Sequence, residues 1–141
     1  MNTVGPDPAQ LGAFTKADPD QPLAMVNLIR FHDRAQYPAE YRAAHDDADC
    51  SGLEAYMRYG AVASAKIEAL GGRALWMGPA QQTFVGPREI EWDVVAVVFY
   101  PTRAKFFEMI ADPEYQAAHV HRVAGVEHMN LIQCDGSGIE S

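Results

Sequence analysis

Two stretches of this chain are apolar on both faces of a β-strand, and they restrict the fold more than any other feature. Residues 92–100, WDVVAVVFY, are rich in β-branched and aromatic side chains, which suit a pleated surface. Residues 24–31, AMVNLIRF, are apolar at most positions. A strand with one face in water alternates polar and apolar residues, so a strand apolar on both faces belongs at the covered centre of a sheet. The chain must therefore build a sheet around these two strands and hide both sides of it.

What lies between them supplies one side. Residues 32–50, HDRAQYPAEYRAAHDDADC, are polar and lack a period, which predicts a long surface excursion. Ser51 and Glu54 then form an S-x-x-E capping box, and Leu53, Tyr56, Gly60, Ala63, Ile67 and Leu70 recur at helical spacing. That predicts an amphipathic helix, closed at Gly71-Gly72. Residues 73–77 and 82–85 read as one strand bent at Gly78-Pro79, and a proline inside a strand points to the sheet edge. After the second central strand, Thr102 opens another helix, and Asp112-Pro113 restarts it as cap and first-turn proline. That piece runs to about Ala124, Gly125 closes it, and residues 126–134 form a fourth strand. The order βαββαβ with right-handed crossovers gives a ferredoxin-like α+β sandwich, a four-stranded antiparallel sheet with both helical layers on one side. Its other face would be left greasy, and a second copy of the chain packed face to face is the simplest cover.

The division expected is residues 1–22 as an N-terminal arm with a short helix from Asp7-Pro8, residues 23–135 as the domain, and residues 136–141 as a flexible tail. With 11 Lys+Arg against 19 Asp+Glu, a net charge of -8 and no basic run, the chain would repel nucleic acid. No apolar run reaches the roughly 20 residues of a membrane span, and the first ten residues have no signal-peptide pattern. Cys50 and Cys134 stand alone without CxxC spacing, which fits a reducing, cytoplasmic setting.

The segments PLAMVNLIRF, DRAQYP, SGLEAYMRYG, GGRALWMG, WDVVAVVFYPTRAKFFEMIADPEYQAAHVHR and NLIQC together resemble the family catalogued as domain of unknown function 1330. The stretch from Tyr100 to Arg122 and the strand around Asn27 are its specific parts. The resemblance runs from about Asp7 to Cys134. It implies a ferredoxin-like subunit forming a dimeric α/β barrel, and it supplies no reaction.

Candidate site residues come from the sequence itself. Asn27 lies among apolar neighbours, so its amide needs a hydrogen-bond partner, either in the fold or in a ligand cavity. At 100° per residue, Tyr115, His119 and Arg122 share a helical face while His121 points nearly opposite. His119 is the candidate general base, by its unperturbed pKa. Tyr56 and Trp76 offer aromatic walls with polar handles. Asn27, Tyr56, Trp76, His119 and Arg122 thus form the expected ligand site. No metal is expected, since His45, Asp46, Asp47 and Asp49 match no standard metal loop. No nucleophile triad, dinucleotide fingerprint or phosphate loop occurs. Haem would need one of the histidines as axial ligand, and no cofactor is expected. Two readings stay open: a small-molecule-binding dimeric barrel, including a cofactor-independent enzyme on a small organic substrate, and a non-catalytic dimer with a filled cavity.

Overall fold

The computed structural model describes residues 5–89 and 91–139; the ends of the expected arm and tail, 1–4 and 140–141, lie outside the described residues. Four strands, β1 (Leu23–Phe31), β2 (Arg73–Pro79), β3 (Val94–Tyr100) and β4 (Val126–Asp135), pair in the order β2-β3-β1-β4. All three pairings are antiparallel, so the sheet has the ferredoxin-like arrangement with β1 and β3 at its centre. Among the described residues five helices accompany it: α1 (Pro8–Lys16), α2 (Ala39–Ala44), α3 (Gly52–Ala69), α4 (Arg103–Ala111) and α5 (Pro113–Gly125).

The caps sit where residue chemistry puts them. Ser51 accepts from the Glu54 N–H at 3.0 Å, and the Glu54 carboxylate returns to the Ser51 N–H, closing the capping box of α3. Asp112 ends α4 and caps α5, accepting from Glu114 and Tyr115. Gly71, at φ 85°, takes the left-handed turn after α3.

Four sequence expectations differ from the fold. Gln82–Val85 is not a strand. Asp93 turns to β1, its N–H donating to Ile29 O at 2.8 Å and its carboxylate accepting from the Phe31 N–H. Beyond Ala80, whose N–H donates to Asp93 O, β2 therefore has no neighbouring backbone left to pair with. β3 accordingly starts at Val94 rather than Trp92. Residues 32–50 are not simply a surface excursion either. They form α2 and bury Ala35, Tyr37, Ala48 and Cys50 against Ala55 and Ala124. Finally, Gly125 remains helical and Val126 is the C-cap of α5. The glycine is there for contact: a Cβ on Gly125 would lie 2.4 Å from Gly52 O, and one on Gly52 would lie 2.1 Å from His32 O. These two residues let α3 and α5 touch backbone to backbone.

Strand alternation separates two faces. On the inner, helix-covered face, Leu23 and Met25 are buried with Ala63, Tyr100, Met109 and Tyr115. On the outer face, Ile132, Val26, Val97 and Trp76 form one row across all four strands. No helix packs there among the described residues, and Ile132 and Trp76 are 48% and 55% exposed.

The arm is fastened by one cation. Arg103, 1% exposed, donates to Asp18 O, Phe14 O and Gln21 Oε1 and lies 4.3 Å from the centre of the Phe14 ring. Phe14 in turn packs edge-on against Phe106 and Phe107.

Candidate ligand-binding site

Asn27 sits midway along β1 on the inner face and divides the core beneath the helices. Toward one end lies the cluster around Leu23 and Met25; toward the other, Ile29 is buried with Val126 and Met129 against Phe31 and Tyr56. Across the sheet, Asn27 is level with Leu131 on one side and with Ala96 and then Met77 on the other. The outermost of these, Leu131 and Met77, are 43% and 48% exposed, so the helices do not seal this row at either edge. Asn27 Nδ2 donates to Met25 O at 3.2 Å and to Ala96 O at 3.4 Å. Its Oδ1 has no partner among the described residues.

Phenols belong to the core clusters on either side of Asn27. The Tyr59 and Tyr115 hydroxyls are 2.7 Å apart, and Tyr56 packs 5.3 Å from Phe31 and 5.4 Å from Tyr59, ring centre to centre. Burial holds Tyr56, Tyr59 and Tyr100 above the ordinary phenol value; Tyr115 adds to this for all three, while Arg122 opposes it at Tyr56 and Tyr59. Desolvation disfavours the phenolate, so these groups stay protonated at neutral pH and act as donors rather than bases. The Tyr56 hydroxyl has no hydrogen-bond partner among the described residues.

On α5, Tyr115, His119 and Arg122 share a face, as their spacing predicts. His119 Nε2 is 3.3 Å from Arg122 Nη1. A guanidinium only donates, so Nε2 accepts and the ring proton sits on Nδ1. Burial, and then the Arg122 charge, hold His119 below the usual histidine value. Arg122 Nη2 also reaches Met129 Sδ at 2.6 Å. A shallow pocket of 240 Å³ opens beside His119, lined by Ile110, Tyr115, Gln116 and His119. With its Nε2 lone pair engaged by Arg122, His119 offers a neutral N–H rather than a general base. The set as a whole presents donors and one free amide oxygen amid apolar surface, which suits gripping a small, partly apolar molecule.

Of the residues expected in the site, the structure brings His119 and Arg122 into contact and sets Tyr56 within reach of the Arg122 charge. Asn27 shares their face of the sheet. Trp76 does not join them: it lies on the outer face, level with Val97 and folded over Gly78. Register decides this, because the bulge between Ala74 and Trp76 shifts the alternation of β2 by one residue. Tyr100 was missed because it ends a strand read purely as core. His121 points away from His119 and meets Tyr37 instead. Among the described residues no group of three or more His, Cys, Asp or Glu is placed to hold a metal ion, and no helix is long and apolar enough to cross a membrane.

A ferredoxin-like α+β subunit with a polar break in its inner core is the class these features define. The chain belongs to the family described as Domain of unknown function (DUF1330), which matches residues 44–137. It is similar to a crystal structure of methylated RPA0582 protein, with a TM-score of 0.84 and 36% identity over 95% of this chain and 94% of that one. A structure of the RPA0582 protein of unknown function from Rhodopseudomonas palustris gives a TM-score of 0.84 and 35% identity over 96% and 97% of the two chains. No curated protein matches.

Proposed function

We propose that this protein is a small-molecule-binding subunit of a face-to-face homodimer, an α/β barrel, whose ligand lies on the inner face near Asn27. The observation that carries the reading is the row through Asn27, where a half-buried amide with a free oxygen interrupts an otherwise apolar core and both ends of the row are open. The amide oxygen is not sealed away from solvent, so it is open to a ligand's hydrogen-bond donor. In this reading the Tyr56 hydroxyl and the His119 Nδ1–H, on the helices over this face, supply the donors, with Arg122 holding His119 in place. The dimer follows from the outer face, whose apolar row spans all four strands without cover.

The rival reading is a dimer whose inner space is filled by its own side chains. The Tyr59–Tyr115 hydroxyl bond favours it, since these rings satisfy each other without a ligand. Native mass spectrometry of the purified protein separates the two. A retained small molecule, weakened by Asn27→Ala and His119→Ala but not by His121→Ala, is the expected result. A protein that carries nothing, and whose inner-face amide signals ignore a library of small aromatic and aliphatic carbonyl compounds, would establish the filled core.

A further inference from the structure

A second polar constellation lies on the opposite side of α5, assembled by the segment before α3. Tyr37, 5% exposed, accepts from Arg58 Nη1 at 3.0 Å, and its oxygen lies 2.6 Å from His121 Nδ1. Arg58 can only donate, which leaves the phenol proton available to His121 Nδ1; in that arrangement the imidazole carries its own proton on Nε2. Burial holds the Tyr37 phenol above and His121 below their ordinary values, which agrees with a neutral pair. Tyr41 stacks on Tyr37 with ring centres 4.3 Å apart and donates to Asp47 Oδ1 at 2.8 Å. The other Asp47 oxygen stands 3.7 Å from Arg58 Nη1. Arg58 and His121 are thus oriented from behind by a buried tyrosine, and Arg58 also by a carboxylate.

Both border an open groove of 350 Å³ between α3 and α5, whose remaining lining is Val62, Ala117, Ala118 and Glu114. The hydrogen bond and the ion pair of Arg58 both run through Nη1, and its guanidinium carbon lies 5.8 Å from the centre of the Tyr37 ring, so Nε and Nη2 make no hydrogen bond among the described residues, and neither does His121 Nε2. Nε and Nη2 are the side of a guanidinium that grips a carboxylate through two parallel hydrogen bonds. Val62, Ala117 and Ala118 give an apolar wall of short side chains beside them. Glu114 at the rim, already paired with Lys66 at 3.2 Å, disfavours a multiply charged anion.

We propose that this groove binds a small monocarboxylate on a short apolar body, held by Arg58 and the His121 Nε2–H against Val62, Ala117 and Ala118. The site is separate from the inner-face one and does not depend on it.

The test is a two-dimensional NMR titration of the intact protein with sodium butyrate, with 1-butanol and sodium phosphate as comparison probes. Butyrate is expected to shift the signals of Arg58, Val62, Ala117, Ala118 and His121, and to bind more tightly than either comparison probe. Arg58→Gln should weaken butyrate about tenfold or more, the loss of a charged hydrogen bond. Ala117 is exposed, so Ala117→Phe should fill the groove and abolish binding without disturbing the fold or the Tyr37–His121 contact. Shifts elsewhere or none, equal binding of butanol, tighter binding of phosphate, or an Arg58→Gln protein that binds like the parent would overturn the proposal.

Discussion

Arg103 illustrates what a single residue can decide and what a sequence conceals about it. In the sequence it is one basic residue after a helix cap; in the fold its guanidinium is buried and, among the described residues, bonded to oxygens of the arm at 3.1, 3.3 and 2.8 Å. No local pattern signals this, because the acceptors lie more than 80 positions away. Asn27 was legible for the opposite reason: a polar side chain in an apolar strand is conspicuous without any tertiary knowledge. Because lysine lacks the planar fork that reaches three acceptors, Arg103→Lys is expected to cost about 1.5–3 kcal/mol. Chemical denaturation would measure it, and faster proteolysis within residues 5–21 should accompany it. His119 and His121 carry a pH consequence. Burial first, and the neighbouring Arg122 and Arg58 charges next, hold both below the ordinary histidine value. The unfolded chain takes up protons at about pH 6.5 and the folded one only lower, so this stability is complete above that pH and is lost as pH falls through the folded values. Melting temperature should therefore drop between about pH 7 and pH 5.5, and a His119→Gln, His121→Gln double variant should flatten that slope.

At the scale of elements, caps and periods were readable where short-range chemistry sets them, at Ser51, Thr102 and Asp112. They failed where a distant strand took the hydrogen bonds, at Gln82–Val85, and where aromatic packing folded a polar segment inward, at Tyr37 and Tyr41. The difference predicts two contrasting substitutions. Ser51→Ala removes the N-cap of α3 and should cost about 0.5–2 kcal/mol, whereas Asp46→Ala, at an exposed position on the loop before it, should leave the melting temperature unchanged. Equal shifts would mean that the capping box contributes nothing. Gly125→Ala is the stronger perturbation. Its methyl group would meet Gly52 O at 2.4 Å and Tyr56 N at 3.0 Å, both backbone atoms, so α3 and α5 must separate. Overpacking of that kind costs about 1–3 kcal/mol. Because the strain falls between the two helices that carry Tyr56, His119 and Arg122, thermal melting should drop and the inner-face signals of those residues should shift together.

For the whole molecule, the sequence already required cover for both faces of the sheet, because residues 24–31 and 92–100 are apolar on alternate sides. The helices meet that requirement on one face only. On the other, Val26 and Val97 lie between Trp76 and Ile132, the last two about half exposed, and in the loop after β2 Phe84 is 89% exposed. A contiguous apolar row that crosses an entire sheet marks an interface, and a two-fold partner presenting the same row is self-complementary. A stable contact of this kind buries about 800 Å² per partner. Light scattering is therefore expected to report twice the chain mass at micromolar concentration. Ile132→Asp tests which surface is used. The position faces water in the single chain, so the fold should tolerate the charge, but in the dimer the carboxylate would be desolvated without a partner, at a cost of several kcal/mol. The variant should scatter as a monomer with its circular dichroism unchanged. A parent protein that stays monomeric and soluble removes the barrel, and an Ile132→Asp variant that remains a dimer moves the interface to another face of the molecule.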